Sequence, residues 1–317
     1  MKKTLFVPLA LAGLFVLSAA RCGAVTFVER FSTDPMQGGW QVFGNTNLFA
    51  WDSTNHVLDV TWDSTKTNSY FYHPLGATLT RADSFCVLFD LQLTDATAFA
   101  SGSELAIGLL NLSEATNAIF SRAYLSSPDL FEFDYFPAFV YEGKPYPASA
   151  DATLLDAGAN FYFAYDNLML NPGVTYQIFL VHLAGAGTIS GEVFNNGQLM
   201  TSLSSVYDGR LGDFRIDTLS VNNYSDDGYG DSILAHGTVD HLAFASPLPV
   251  EKIQAIAAGQ VRFASDTNWL YSLEQTADFQ TWTAAAPATF GNGTNLILQA
   301  TNPPAGKSYY RVRADLP

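Results

Sequence analysis

Hydrophobic and polar positions alternate with period two along most of the chain, the spacing that sends successive side chains to opposite faces of a strand. The alternation predicts strands over 41–43, 56–62, 69–73, 85–93, 105–110, 130–136, 161–165, 175–183, 189–194, 213–222 and 239–245. Turn formers punctuate them, as at Asn171-Pro172-Gly173 and Asn195-Asn196-Gly197. Asn196-Gly197, set between Val193-Phe194 and Leu199-Met200, predicts a tight hairpin. Helical spacing is scarce, and residues 151–157 form the best helix candidate. So many short strands with so little helix predict an all-β fold, a two-sheet jelly-roll sandwich.

Ser246-Pro247-Leu248-Pro249 interrupts the pattern, and two prolines in three residues read as a linker. The expected organisation is a large sandwich over 25–247, a linker over 248–252 and a small β-sandwich module over 253–317. The module's strands are predicted near 261–264, 269–275, 282–284, 296–299 and 308–313.

The first 24 residues change the picture of where the chain works. Lys2 and Lys3 precede an apolar run from Leu5 to Leu17, and Cys22-Gly23-Ala24 is a small-residue cleavage signal. This is the pattern of a secretory leader, with cutting after Ala20 as an alternative. Arg21 stands where a lipidation motif wants a small residue. No later apolar run is long enough to span a bilayer. Cleavage after Ala24 leaves Cys86 without a disulfide partner, in the apolar run Phe85-Cys86-Val87-Leu88-Phe89, where a buried inert thiol is expected.

Charge then excludes whole classes of partner. The chain carries 15 basic and 30 acidic residues, a formal charge of −15. Removing Lys2, Lys3 and Arg21 with the leader leaves 12 basic against 30 acidic, near −18. Such a chain is repelled by phosphate backbones and by anionic membrane surfaces. Residues 251–317 balance at five basic and five acidic, so the acidity belongs to the large domain.

Phe31-Ser32-Thr33-Asp34-Pro35 with Gly39-Trp40, Phe49-Ala50-Trp51-Asp52, Phe131-Glu132-Phe133-Asp134-Tyr135-Phe136-Pro137 and Ser232 to Asp240 form a recognisable series. Together they resemble the concanavalin A-like lectin/glucanase superfamily, in particular jelly-roll domains of Verrucomicrobia-type secreted bacterial proteins. The tail resembles a small C-terminal module of such proteins, through Tyr271-Ser272-Leu273-Glu274, Asp278-Phe279 with Trp282, and Tyr309-Tyr310-Arg311-Val312. The resemblance implies two curved antiparallel sheets with ligand lying on the concave face.

Glu132 and Asp134 are the sharpest candidates. On a strand they share one face, about 7 Å apart over two rises of about 3.3 Å, while Phe131, Phe133 and Tyr135 face the core. That is close to the separation of paired carboxylates in retaining glycosidases. The resemblance to laminarinases implies a strand Glu as nucleophile, an assisting Asp and a final Glu as acid/base. Here Glu132 and Asp134 match the first two, whereas Phe136 or Pro137 occupies the last place. Neither can donate the proton that glycoside cleavage needs.

Tyrosines supply the other candidates, because each offers a flat apolar face and a hydrogen-bonding tip for a sugar ring. Tyr70 and Tyr72 share a strand face, and Tyr141 and Tyr146 sit in a proline-stiffened loop. Trp40 and Trp282 are expected in the core. The oxygen-rich segment from Asn222 to Asp231 fails the EF-hand pattern at Leu234, but superfamily resemblance keeps a structural calcium open; no other cofactor is expected. The five histidines show no paired metal-binding spacing.

Three functional readings follow from the residues. The first is a secreted or cell-surface, non-catalytic lectin-like protein that binds extracellular polysaccharide through Glu132, Asp134, Tyr70, Tyr72, Tyr141 and Tyr146. The second is a laminarinase-like hydrolase using Glu132. The third is a structural or adhesive surface protein with a protein partner.

Overall fold

The computed structural model describes residues 25–315 apart from 99–103, 123–126, 185–186, 208–210, 228–232, 247, 249–252, 258, 266, 268, 278–280 and 302–307. The expected leader, most of the expected linker and the end of the 222–231 loop therefore lie outside the described residues. Two compact units divide the chain after residue 248.

The larger unit is a sandwich of two antiparallel sheets, the jelly roll that the alternation predicts. Its strands are β1 (Val25–Glu29), β2 (Gln41–Phe43), β3 (Phe49–Asp52), β4 (Val57–Asp63), β5 (Ser69–Leu79), β6 (Phe85–Ala98), β7 (Leu105–Leu110) and β8 (Leu130–Phe136). They continue with β9 (Phe139–Tyr141), β10 (Lys144–Tyr146), β11 (Ser149–Leu155), β12 (Phe161–Asn167), β13 (Thr175–Leu183), β14 (Thr188–Asn195), β15 (Gln198–Val206), β16 (Ile216–Asn223) and β17 (Ile233–Ser246). One sheet runs β15-β14-β13-β6-β17-β4-β3, with β1 added against β17. The other, of seven strands, runs β12-β11-β8-β7-β16-β5-β2. A separate hairpin, β9–β10, projects from the connection between β8 and β11. Asn196 and Gly197 turn β14 into β15, both at positive φ (48° and 75°), as a primed two-residue turn demands.

The segment around 151–157 is a correction to the sequence reading: it enters strand β11, not a helix. Ala150, Ala152 and Leu154 alternate into the core, and β11 is paired on both sides, by β8 and β12. Alanine favours helix intrinsically, but two complete ladders override that preference.

Between the sheets the core is largely aromatic. Phe85 meets Phe131 edge-on at 5.4 Å, and Phe89 meets Phe133 at 5.9 Å, so β6 and β8 interlock across the sandwich. Trp40 is buried and stacks on Phe71 at 4.6 Å, as expected of it. Cys86 is half-buried on β6, and burial pushes its thiol up to about 12, so no thiolate forms near neutrality.

The smaller unit packs a three-stranded sheet, residues 254–257, 260–264 and 295–299, with a four-stranded one, residues 270–276, 283–284, 289–290 and 309–315. Arg311 and Arg313 hold Glu274 at 2.6 and 3.1 Å. Trp282, expected in the core, is instead half-buried beneath the Arg311 guanidinium, 4.3 Å away.

His182 lies wholly inside the large sandwich, with Nδ1 2.8 Å from the Asp83 carbonyl and Nε2 3.0 Å from the Tyr207 hydroxyl. Burial lowers it to about 4. The unfolded chain therefore takes up a proton below about 6.5 that the folded chain refuses until about pH 4. Urea titrations of wild type and His182→Phe should diverge over that window. Wild type is expected to lose about 3 kcal/mol relative to the variant as pH falls. Parallel curves would show that His182 does not carry the acid limb.

Candidate functional site

The register of the seven-stranded sheet brings four of the six sequence-selected residues, Tyr70, Tyr72, Glu132 and Asp134, onto one outer face. One row runs Phe43, Tyr70, Asn222, Ala106, Asp134, Asp151, Tyr165. The next runs Gln41, Tyr72, Ser220, Gly108, Glu132, Thr153, Phe163. Glu132 and Asp134 thus point away from the sandwich core, as the alternation requires.

They do not line an open groove. The connection between β7 and β8 folds back across the middle of the face. Its one-turn helix α1 (Leu112–Ala115) is capped by the Asn111 side chain on Glu114 N–H. Ala115 and Phe120 pack against Tyr70, Leu110, Leu130, Leu155 and Tyr224 in a second apolar cluster. The Tyr70 hydroxyl donates to the Ala115 carbonyl at 3.0 Å. Arg122 then enters the centre of the face. Its Nε–H donates to Glu132 Oε1 at 2.7 Å and its Nη2 to Asp134 Oδ2 at 2.8 Å, while Glu104 Oε1 lies 3.4 Å from Nε. Tyr224 Oη and Asn222 Nδ2 donate to the other oxygen of Glu132 at 2.7 and 3.2 Å. Glu132 and Asp134 retain 0% and 1% exposure.

This corrects the expectation for Glu132, Asp134 and Tyr70, none of which is presented to a ligand. A carboxylate locked to a buried guanidinium and a tyrosine is neither a free nucleophile nor an acceptor for sugar hydroxyls. Tyr72 is half-buried and donates to Gln41 Oε1 at 2.9 Å. Tyr141 and Tyr146 are exposed, on hairpin β9–β10, with Tyr146 stacked on Phe139 at 4.7 Å.

The charges in the centre do not balance. Four carboxyl groups, those of Glu104, Glu132, Asp134 and Asp151, gather round one guanidinium among the described residues. Burial raises Glu104 to about 7 and Asp151 to about 6, in both cases partly offset by Arg122. Burial and the neighbouring Glu132 raise Asp134 well above the carboxylate range. Burial opposes the charge of Arg122, and Asp134, Glu104 and Glu132 more than offset it. The cluster therefore keeps protons that the unfolded chain would release. Gly108 permits the close packing here. A Cβ at this position would stand 2.3 Å from the Phe131 carbonyl and 2.5 Å from Glu132 Cα.

What remains open on this face lies at its two flanks. On the edge strand β12, Phe161, Phe163 and Tyr165 share the outer side, their ring centroids 4.9 and 5.9 Å apart in succession. Phe163 is 43% and Tyr165 64% exposed. Asp151 is the ladder partner of Tyr165, and its buried Oδ1 has no hydrogen-bond partner. Sequence reasoning placed a strand here but missed the row. Its signal was the aromatic spacing at 161, 163 and 165. At the opposite edge, Phe43 and the α1 connection border a cleft of about 320 Å³.

In the described part of the oxygen-rich loop, three side chains are already engaged by protein groups. Asn222 turns inward to Glu132, Asn223 brackets the Asp63 backbone through both ends of its amide, and Asp227 accepts from Ser121. His236 pairs with Asp95, and His241 with Asp90 and Asp240, on the other sheet.

No protein-family model matches the chain, and no curated protein matches it. Solved structures similar to the chain include peanut lectin with a 9mer peptide, at 14% identity and TM-score 0.47, covering 71% of this chain and 98% of the lectin. The lectin UEA-II complexed with galactose is similar at 16% identity and TM-score 0.46, over 71% of this chain and 98% of that one. A sialidase is similar at 12% identity and TM-score 0.40, over 69% of this chain and 18% of its own. These are likenesses of jelly-roll fold, and at such identities they carry no function across.

Removing the central guanidinium strands buried carboxylates, so Arg122→Met should cost about 3–5 kcal/mol in urea unfolding. Glu104 adds stability below about pH 4.5 that is lost as pH rises through about 7. Glu104→Gln should therefore flatten the wild-type decline over that interval. An Arg122→Met protein as stable as wild type would refute the central role of the cluster.

Proposed function

We propose that the protein is a non-catalytic binder of extracellular polysaccharide, and that it holds the chain on the exposed aromatic row of β12 rather than in the centre of the face. The row carries this reading. Three rings succeed one another along one strand, and the two exposed ones, Phe163 and Tyr165, leave apolar surface for the C–H groups of successive sugar rings. The half-buried Asp151 lies beside Tyr165 as its ladder partner and sets a polar border to the row. Tyr141 and Tyr146 project from the connection that leaves β8 at Phe136, which is paired with Ser149 and, through it, with Asn167 at the end of β12.

Hydrolysis is the weaker reading, because Glu132 is enclosed and ion-paired and the position of a general acid is apolar. Export is supported by the Lys2-Lys3 and Leu5–Leu17 pattern. Among the described residues no helix is long and apolar enough to cross a membrane.

Affinity electrophoresis through gels containing soluble β-glucans, xylan or mannan, with pull-down on insoluble polysaccharides, tests the proposal. Retention by at least one polysaccharide is expected. Phe163→Ala with Tyr165→Ala should weaken it roughly thirtyfold, from two rings at about 1 kcal/mol each. No reducing ends should appear. Absence of retention across the panel, or retention indifferent to both substitutions, would sink the proposal.

A further inference from the structure

We propose that the cleft at the β2 edge of the same outer face is a second ligand site, one that takes a single pyranose ring, so that each chain holds glycan at two separate places. The inference rests on the polysaccharide reading for its ligand class but uses none of the residues of β12.

At about 320 Å³ the cleft is at the small end of ligand pockets, roughly 300–1,000 Å³, which suits one ring better than a chain. Its aromatic wall is fixed in place. Phe43 is 37% exposed and stacks on the buried Tyr70 at 5.7 Å and 13°. Tyr70 is in turn anchored to Ala115 by its hydroxyl. Gly44 fixes the entry of the chain. Its φ is +80°, and a Cβ would stand 2.5 Å from Ser69 Oγ and 2.6 Å from the Asn68 carbonyl.

The polar lining divides into groups already spent and groups left over. Asn68 is spent, with Nδ2 donating to the Phe120 carbonyl and Oδ1 accepting from Ser225 N–H. Thr116 donates to the Leu112 carbonyl. Asn117 is half spent: its Oδ1 accepts from Ile119 N–H, and its Nδ2 has no protein partner among the described residues. Asp227 is likewise half spent, with Oδ2 taken by the Ser121 hydroxyl. The cleft thus offers one flat apolar wall, an unspent donor on Asn117 and an unspent acceptor on Asp227, with the hydroxyls of Thr67 and Ser225 beside them. A ring with an apolar face and adjacent hydroxyls, each both donor and acceptor, satisfies all three. An anion is disfavoured by Asp227, and a purely apolar ligand would strand both polar groups.

From β12 to β2 are six strand spacings, about 29 Å at about 4.8 Å each, with the Arg122 cluster between. One glycan ring cannot reach both flanks.

Saturation-transfer NMR on the full chain with free glucose, galactose, mannose, xylose and N-acetylglucosamine tests the site. At least one sugar should give a saturable signal. Asn117→Asp and Asp227→Asn each keep their internal hydrogen bond and alter the unspent group. Each should weaken that signal about tenfold, the loss of one hydrogen bond. In the Phe163→Ala, Tyr165→Ala background, where the β12 row no longer contributes, a signal should remain that falls equally with either cleft substitution. No saturable signal from any of the five, insensitivity to both cleft variants, or loss on the β12 substitutions would overturn the inference. Sugar binding at the cleft without polysaccharide retention would instead sink the reading of β12 and leave the cleft standing.

Discussion

The Arg122 guanidinium decides what the outer face of the seven-stranded sheet can be. It draws the β7–β8 connection over the middle of the sheet and engages Glu132 and Asp134. The surrounding apolar cluster excludes water, which makes the attraction strong and the loss of either partner costly. Because the carboxyl groups outnumber the cation, burial and mutual repulsion push Glu104 and Asp134 toward their neutral forms in a chain of net charge −15. Everything else on this face is arranged around that sealed centre.

The consequence for function is a division of labour by position. On the outer face of the seven-stranded sheet the middle is committed to stability, and the glycan sites we propose lie at the edges. Phe161, Phe163 and Tyr165 lie on one edge strand and Phe43 on the other. Rings on an edge strand lack a neighbour on one side, so they stay accessible even when the centre is built over.

The strands were legible because one face of each is core, and alternation reports that directly. Leu105–Leu110, Leu130–Phe136 and Thr175–Leu183 form over the residues whose pattern predicts them. The Ala-rich start of β11 misled, since alanine reports helix preference and says nothing about two waiting ladder partners. That Glu132 and Asp134 share a face was also legible. What covers that face was not. Arg122 stands in an aperiodic connection ten and twelve residues away from them, and no local pattern marks a loop that folds back. The β12 row follows the same alternation rule. Its exposure, however, depends on β12 being an edge, which is a property of strand order and not of the local sequence.

Strand β17 has a temporal meaning. It lies between β6 and β4 and also carries β1, so that Val25 pairs with Ser246. The first strand of the large unit therefore waits for the last, and the sheet has no centre until residues 233–246 arrive. Such distant pairing slows folding, since the entropy of closing the chain is lost before the contacts repay it. A chain made from its N-terminus therefore cannot complete this sheet until nearly the whole unit has been made.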